Sequence, residues 1–245
     1  MVIVTCRRFF IFIITIMISI ALDSSDGLTF VQELTSPITT NARYPFLIGS
    51  SLTIFVNVYD DRKIVEATQK ETTENRPLGK YSQYGDLMGQ LVPNAAYFLL
   101  VGGYGLITSN KLAKTNASLM FAATFYAELV CTILKYTVRE KRPTSDSRTS
   151  FPSGHTTAAF AFASVVGVRH NLFLGSIAYT IAGLVAYSRI NDNQHWLHDV
   201  IAGATIGTSY GVGLSYLLPG NNRHSYIILP IPIKGGAMLS YSLKL

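Results

Sequence analysis

The sequence predicts an all-α fold, a bundle of about six apolar helices, and three observations predict it. Apolar runs at about 44–58, 91–107, 117–134, 156–168, 172–187 and 200–218 are too long for strands. Glycine and alanine recur within them and proline is confined mainly to their ends, the pattern of helices packed closely on one another. Of the 245 residues, 49% are hydrophobic and 14% charged, well short of the roughly 25% charge usual in a soluble domain, which excludes disorder and disfavours an ordinary cytosolic protein. The net charge of +6 leans toward anionic lipid or a phosphorylated substrate. Nucleic acid is not an expected partner, because the basic residues are scattered between apolar runs, and no protein partner can be inferred.

At the N-terminus, Arg7 and Arg8 precede an apolar stretch from Phe9 to Leu22, with Ser19 and Ala21 placed as the small residues of a cleavage site. Residues 1–22 therefore read as an export signal or an N-terminal anchor; the apolar run is shorter than the roughly 20 residues that span a bilayer. Cys6 falls within it, which leaves Cys131 as a lone thiol and no expected disulfide. The body of the protein is expected over 23–220. A polar stretch from Asp23 to Arg43 leads to the first run, and the mixed-charge stretch from Asp60 to Asp86 is expected to hold an amphipathic helix near Ile64 to Lys70. Within the second run, Gly102, Gly103 and Gly105 read as packing positions. The third run contains Glu128, either a core carboxylate facing Lys135 or a sign that this helix is not lipid-exposed. In the sixth run Gly203, Gly207 and Gly211 recur every fourth residue, a helix-packing stripe. The tail, 221–245, turns strand-like around Gly235 and Gly236 and suggests a β-hairpin, with Pro230 and Pro232 restricting its first arm to an edge.

Chemistry concentrates in three clusters at the ends of these runs: Lys135 to Pro143, Pro152 to His155, and Ser188 to Asp199. Up-down connectivity brings all three to one end of the bundle. Lys135 and Arg142, seven residues apart, are expected two turns apart on one helix face, with Pro143 stopping the helix. Ser153 and Gly154 open a helix whose free N–H groups form an anion site. Arg189 adds a bidentate donor. His195 and Asp199 are spaced i, i+4, so the carboxylate can hold one imidazole nitrogen and direct the other at phosphorus, and His155 is a second imidazole suited to protonating a departing oxygen. His195, His198 and Asp199 could instead suggest a metal cluster, but no further ligand has metal-site spacing; His198 reads as a neighbour of the site. Arg139, Lys141, His170 and His224 read as surface groups.

K-x6-RP, PSGH and SR-x5-H-x3-D resemble the three signature segments of the type 2 phosphatidic acid phosphatase (PAP2) superfamily, which is related to class A bacterial acid phosphatases and vanadium haloperoxidases. All eleven motif positions match, and the resemblance covers about 120–210. It implies that His195 is a nucleophile forming a phosphohistidine, that Asp199 orients it, and that His155 protonates the leaving group. Lys135, Arg142, Ser153, Gly154 and Arg189 would bind the phosphate, and no metal or other cofactor is implied. Thr144 to Phe151 is a shorter connection between the first two motifs than is usual in the family. The expected activity is metal-independent hydrolysis of a lipid phosphomonoester or pyrophosphate. Alternatives are a soluble broad-specificity acid phosphatase, a vanadium haloperoxidase or an inert lipid-binding protein. Lys111, Lys114 and Arg169 lie in loops opposite the catalytic end, so the positive-inside rule places the site outside, on the periplasmic face of a bacterial inner membrane, provided that the first run does not cross. A soluble periplasmic protein is the alternative.

Overall fold

The computed structural model describes residues 27–59, 63–218, 225–233 and 236–244; the expected leader at 1–22 and the surface reading of His224 lie outside the described residues. Ten α-helices are described. Two short ones, α1 (Phe30–Leu34) and α2 (Ser36–Thr39), lead into α3 (Arg43–Ile54), which continues as a π-helical turn to Tyr59. The amphipathic helix is α4 (Lys63–Asn75), longer than its expected core. A 3-10 turn at Gly79–Tyr81 opens α5 (Ser82–Gly89), which meets α6 (Val92–Ile107) at a 46° bend. Then come α7 (Lys111–Val138), α8 (Gly154–Arg169), α9 (Leu172–Asn191) and α10 (Leu197–Leu217). Each of the six apolar runs is thus a helix.

Local chemistry fixes the tight connections. The side chains of Asn110 and Asn171 accept from the N–H groups of Ala113 at 3.0 Å and Leu174 at 2.9 Å, capping α7 and α9. α7 ends where Arg139 turns into the left-handed region at φ 56°, its N–H still donating to the Lys135 carbonyl.

α8 and α10 form the centre of the bundle and meet along the glycine stripe. A Cβ on Gly203 would lie 2.6 Å from the Ser153 carbonyl oxygen, and one on Gly211 would lie 2.5 Å from Ser164 Cβ; Gly207 faces the Thr157 carbonyl more closely still. Around this pair, α7 and α9 complete a core containing Leu119, Met120, Val165, Val185 and Leu214. Among the described residues, α7, with 28 residues, and α9, with 20, are long and apolar enough to cross a membrane, and α5 with α6 makes a bent third candidate. The third run is therefore longer than its sequence outline of 117–134. Its buried polar positions, including Thr115 and Asn116, interrupt the apolar pattern but face protein. Leu100, Ile107, Ile133, Phe173 and Leu184 point outward from these helices and give the bundle an apolar exterior. α3, at 12 residues, does not meet the same measure.

The tail forms an antiparallel pair, β1 (Ser225–Ile233) and β2 (Gly236–Lys244), with Ile233 opposite Gly236 and Ser225 opposite Lys244. In a two-stranded sheet both strands are edges, which accommodates Pro230 and Pro232.

Candidate active site

The three clusters converge, and backbone bonds join them. The Ser153 N–H donates to the Asp199 carbonyl at 3.0 Å, tying the start of α8 to the first turn of α10. Arg142 Nη1 donates to Gln194 Oε1 at 3.0 Å, and the Thr144 hydroxyl donates to the Asn193 carbonyl at 3.1 Å, so the short 144–151 connection is folded against the loop that carries His195. The route of Arg142 into the site differs from the expected one. α7 stops at Val138, so Arg142 stands in the following loop, where its N–H donates to the Ser147 carbonyl. The left-handed turn at Arg139 ends the helix before Pro143 can.

His195 and Asp199 are buried, at 3% and 0% side-chain exposure. Asp199 Oδ2 faces His195 Nδ1 at 3.4 Å and accepts from the Trp196 N–H at 2.9 Å and from the Ser150 hydroxyl. Those two donors fix the carboxylate, which in turn leaves Nε2 as the imidazole's other face. Burial lowers the His195 pKa below the usual 6.5, although Asp199 opposes the shift. Ser153 caps α8 from an extended backbone conformation; its hydroxyl accepts from Thr156 Oγ1 at 3.0 Å rather than from the helix's own N–H groups. Gly154 follows at closest approach to α7: a Cβ there would lie 3.9 Å from Lys135 Cε and 3.7 Å from Glu128 Oε2. Glu128 is thus beside the site, on the side that also holds Lys135. Lys135 Nζ donates to the carbonyl of Thr149, at 3.1 Å, and to that of Pro152.

Arg189, 5% exposed, places Nη1 2.6 Å from Asp86 Oδ1, while Nε donates to the Ser188 hydroxyl at 3.2 Å. Nη2 lies 3.6 Å from Asp192 and makes no hydrogen bond. His155 Nε2 lies 3.2 Å from the same Asp86 oxygen. Burial and then the Arg189 charge push the His155 pKa down to about 4. The expected site residues therefore gather at one end of the bundle, and Asp86, the last residue of the mixed-charge stretch and not singled out in the sequence, joins two of them.

Other contributors were also illegible in the motifs. His198 Nε2 contacts Glu140 Oε2 at 2.9 Å and Asp199 Oδ1 at 3.4 Å, so it is a neighbour of the site as expected. Glu140, His198 and Asp199 bring possible ligand atoms within 4.8 Å of one another, and spacing alone had not added Glu140 to that set. Gln69 of α4 donates to Asn193 Oδ1, and the Leu78 N–H donates to Asn191 Oδ1, so the amphipathic segment buttresses the third motif. At the opposite end, Arg169, expected in a loop, is buried, and His170, expected at the surface, is half-buried. Arg169 is buried with Nη2 2.9 Å from the Leu218 carbonyl, and His170 Nε2 lies 2.7 Å from the Tyr97 hydroxyl. Helix-end packing, invisible in a charge count, accounts for both. Arg139 and Lys141 are exposed as expected.

Residues 116–223 match the model of the PAP2 superfamily. An 80-residue stretch is 36% identical to a lipid A 1-phosphatase of Porphyromonas gingivalis and covers 31% of this chain and 18% of that protein. Over 58 residues the chain is 38% identical to YbjG of Escherichia coli K12, provisionally named an undecaprenyl-diphosphatase, covering 24% of this chain and 29% of that one. The chain thus spans less than a third of either curated relative in these matches. A crystal structure of a transmembrane PAP2-type phosphatidylglycerolphosphate phosphatase from Bacillus subtilis superposes with a TM-score of 0.57 at 23% identity, over 71% of this chain and 92% of that one, a likeness of fold.

Proposed function

We propose that this chain, whose residues 116–223 belong to the PAP2 superfamily, is a membrane-bound phosphatase that removes phosphate from a lipid through a phosphohistidine at His195, without a metal. The observation that carries the reading is the buried His195–Asp199 pair set among Lys135, Arg142, Arg189 and the Ser153–Gly154 turn. Binding alone requires no oriented nucleophile. The relatives named as a lipid A 1-phosphatase and an undecaprenyl-diphosphatase support a lipid phosphate as substrate, as does the apolar exterior.

In the proposed reaction, Asp199 holds the Nδ1 proton of His195, and the Nε2 lone pair attacks phosphorus. The bond from phosphorus to the leaving oxygen breaks, and its electron pair is protonated by His155. Lys135, Arg142, Arg189 and the N–H groups at the start of α8 stabilise the charge on the equatorial oxygens. Water then gives a proton to His155 and attacks phosphorus; the N–P bond breaks, its electrons return to the imidazole, and inorganic phosphate leaves.

The proposed orientation puts the site toward the periplasm, a reading supported by exposed Lys111 at the far end of α7. Residues 1–22 serve as export signal or anchor, and 23–220 make up the catalytic unit. Purified full-length protein in detergent, given lipid phosphates and EDTA, is expected to release phosphate, and His195→Ala to abolish release. Activity that dies with EDTA, or survives loss of His195, overturns this chemistry.

A further inference from the structure

Among the motif residues, His155 stands on the side from which the leaving group would depart, and α5 meets it there through Asp86, which belongs to no motif. One carboxylate oxygen of Asp86 faces both Arg189 Nη1, at 2.6 Å, and His155 Nε2, at 3.2 Å. The placement is built into the packing. Two glycines flank Asp86 on its helix and bring it close: a Cβ on Gly89 would lie 2.7 Å from His155 Cβ, and one on Gly85 would strike the Ser188 hydroxyl. Arg189 divides its fork accordingly. Nη1 is engaged by Asp86 and Nε by Ser188, while Nη2 is buried without a hydrogen bond, 3.6 Å from Asp192.

We infer that Asp86 sets the leaving-group selectivity of the site, favouring phosphomonoesters, which release an alcohol, over diphosphates, which release a phosphate. The inference rests on the phosphatase reading above and on His155 as the proton donor. A leaving oxygen must come within hydrogen-bond reach of His155 Nε2, the atom that Asp86 already faces. When that oxygen belongs to an alcohol, it brings no charge to oppose the carboxylate, whose own charge favours the protonated form of His155. When it belongs to a second phosphoryl group, that group's anionic oxygens stand beside Asp86. Like charges a few ångströms apart disfavour that arrangement by about threefold, after allowance for the half exposure of Asp86 and the Arg189 charge beside it. An alkoxide also needs the proton of His155 far more than a departing phosphate does, so loss of the carboxylate acts on the two substrates in opposite senses.

The test is the ratio of kcat/KM for a polyprenyl monophosphate and a polyprenyl diphosphate of the same chain length, measured on full-length protein in detergent. Wild type is expected to favour the monophosphate. Asp86→Asn is expected to shift the ratio about threefold toward the diphosphate, and Asp86→Glu to keep it near the wild-type value. A general loss of packing lowers both activities together and leaves the ratio in place. A ratio unchanged in Asp86→Asn, or a wild type that prefers the diphosphate, overturns the inference while leaving the phosphatase reading intact; the wild-type preference can be read even if the variant does not fold. A wild type that cleaves neither substrate overturns both.

Discussion

His155 and His195 illustrate how burial suits two identical side chains to the opposite tasks proposed for them. Both imidazoles lose affinity for a proton because the protein replaces water around them. For His195 as the proposed nucleophile this is an advantage, since a nucleophile must be neutral, and its folded pKa below 6.5 keeps it so down to mildly acid pH. For His155, at about 4 in the free protein, the protonated fraction falls about tenfold with each pH unit above that value. The product of neutral His195 and protonated His155 therefore peaks on the acid side of neutrality. kcat/KM is expected to be higher at pH 5 than at pH 8 for an alkyl phosphate, read from initial rates in matched buffers. A flat profile over that range would put the departing proton on another group. Neither pKa shift follows from the PSGH or H-x3-D spacing, because both depend on which side chains from other segments enclose the ring.

Among the elements, the α8–α10 contact is the joint on which the site depends. Ser153 and His155 lie at the start of one helix and Asp199 in the first turn of the other, so the separation of these helices sets the separation of the proposed catalytic groups. Gly207 lies where a Cβ would strike the Thr157 carbonyl, and backbone cannot swing aside as a side chain can. Gly207→Val is expected to destabilise the protein by about 3 kcal/mol or more and to reduce activity with it, measured by thermal unfolding in detergent. Gly103 has nothing within 4 Å of its added Cβ; Gly103→Ala is expected to stay within about 0.5 kcal/mol of wild type. The four-residue repeat thus identified a close contact, whereas the packing role expected for Gly103 has no neighbour to support it. Gly105 does have one, with Lys114 N 2.8 Å from its Cβ position.

For the whole molecule, the question is which face of the membrane the cleft occupies. Asp146 stands fully in solvent in the loop between the first two motifs, and Lys111 is exposed at the other end of α7. Cys131 is buried, and Cys6→Ser removes the other thiol of the chain from the labelling. A membrane-impermeant maleimide applied to intact inner membranes is expected to modify Asp146→Cys from the periplasmic side and Lys111→Cys only after the membrane is opened. The reverse pattern would place the cleft in the cytoplasm. By itself, the sequence determined the helical class, the six apolar helices, the stripe joining α8 to α10 and the three phosphate-type motifs. Each is written in local spacing, where a period of about 3.6 residues or a run of side chains at a helix end carries its own meaning. Only the tertiary structure decided that Asp86 meets Arg189, 103 residues away, that Ser150 and Glu140 close around the Asp199–His198 pair, and that Arg169 is buried rather than free in a loop. A single acid or serine in a mixed-charge stretch has no periodicity to mark it; its chemistry comes from the groups that folding brings beside it.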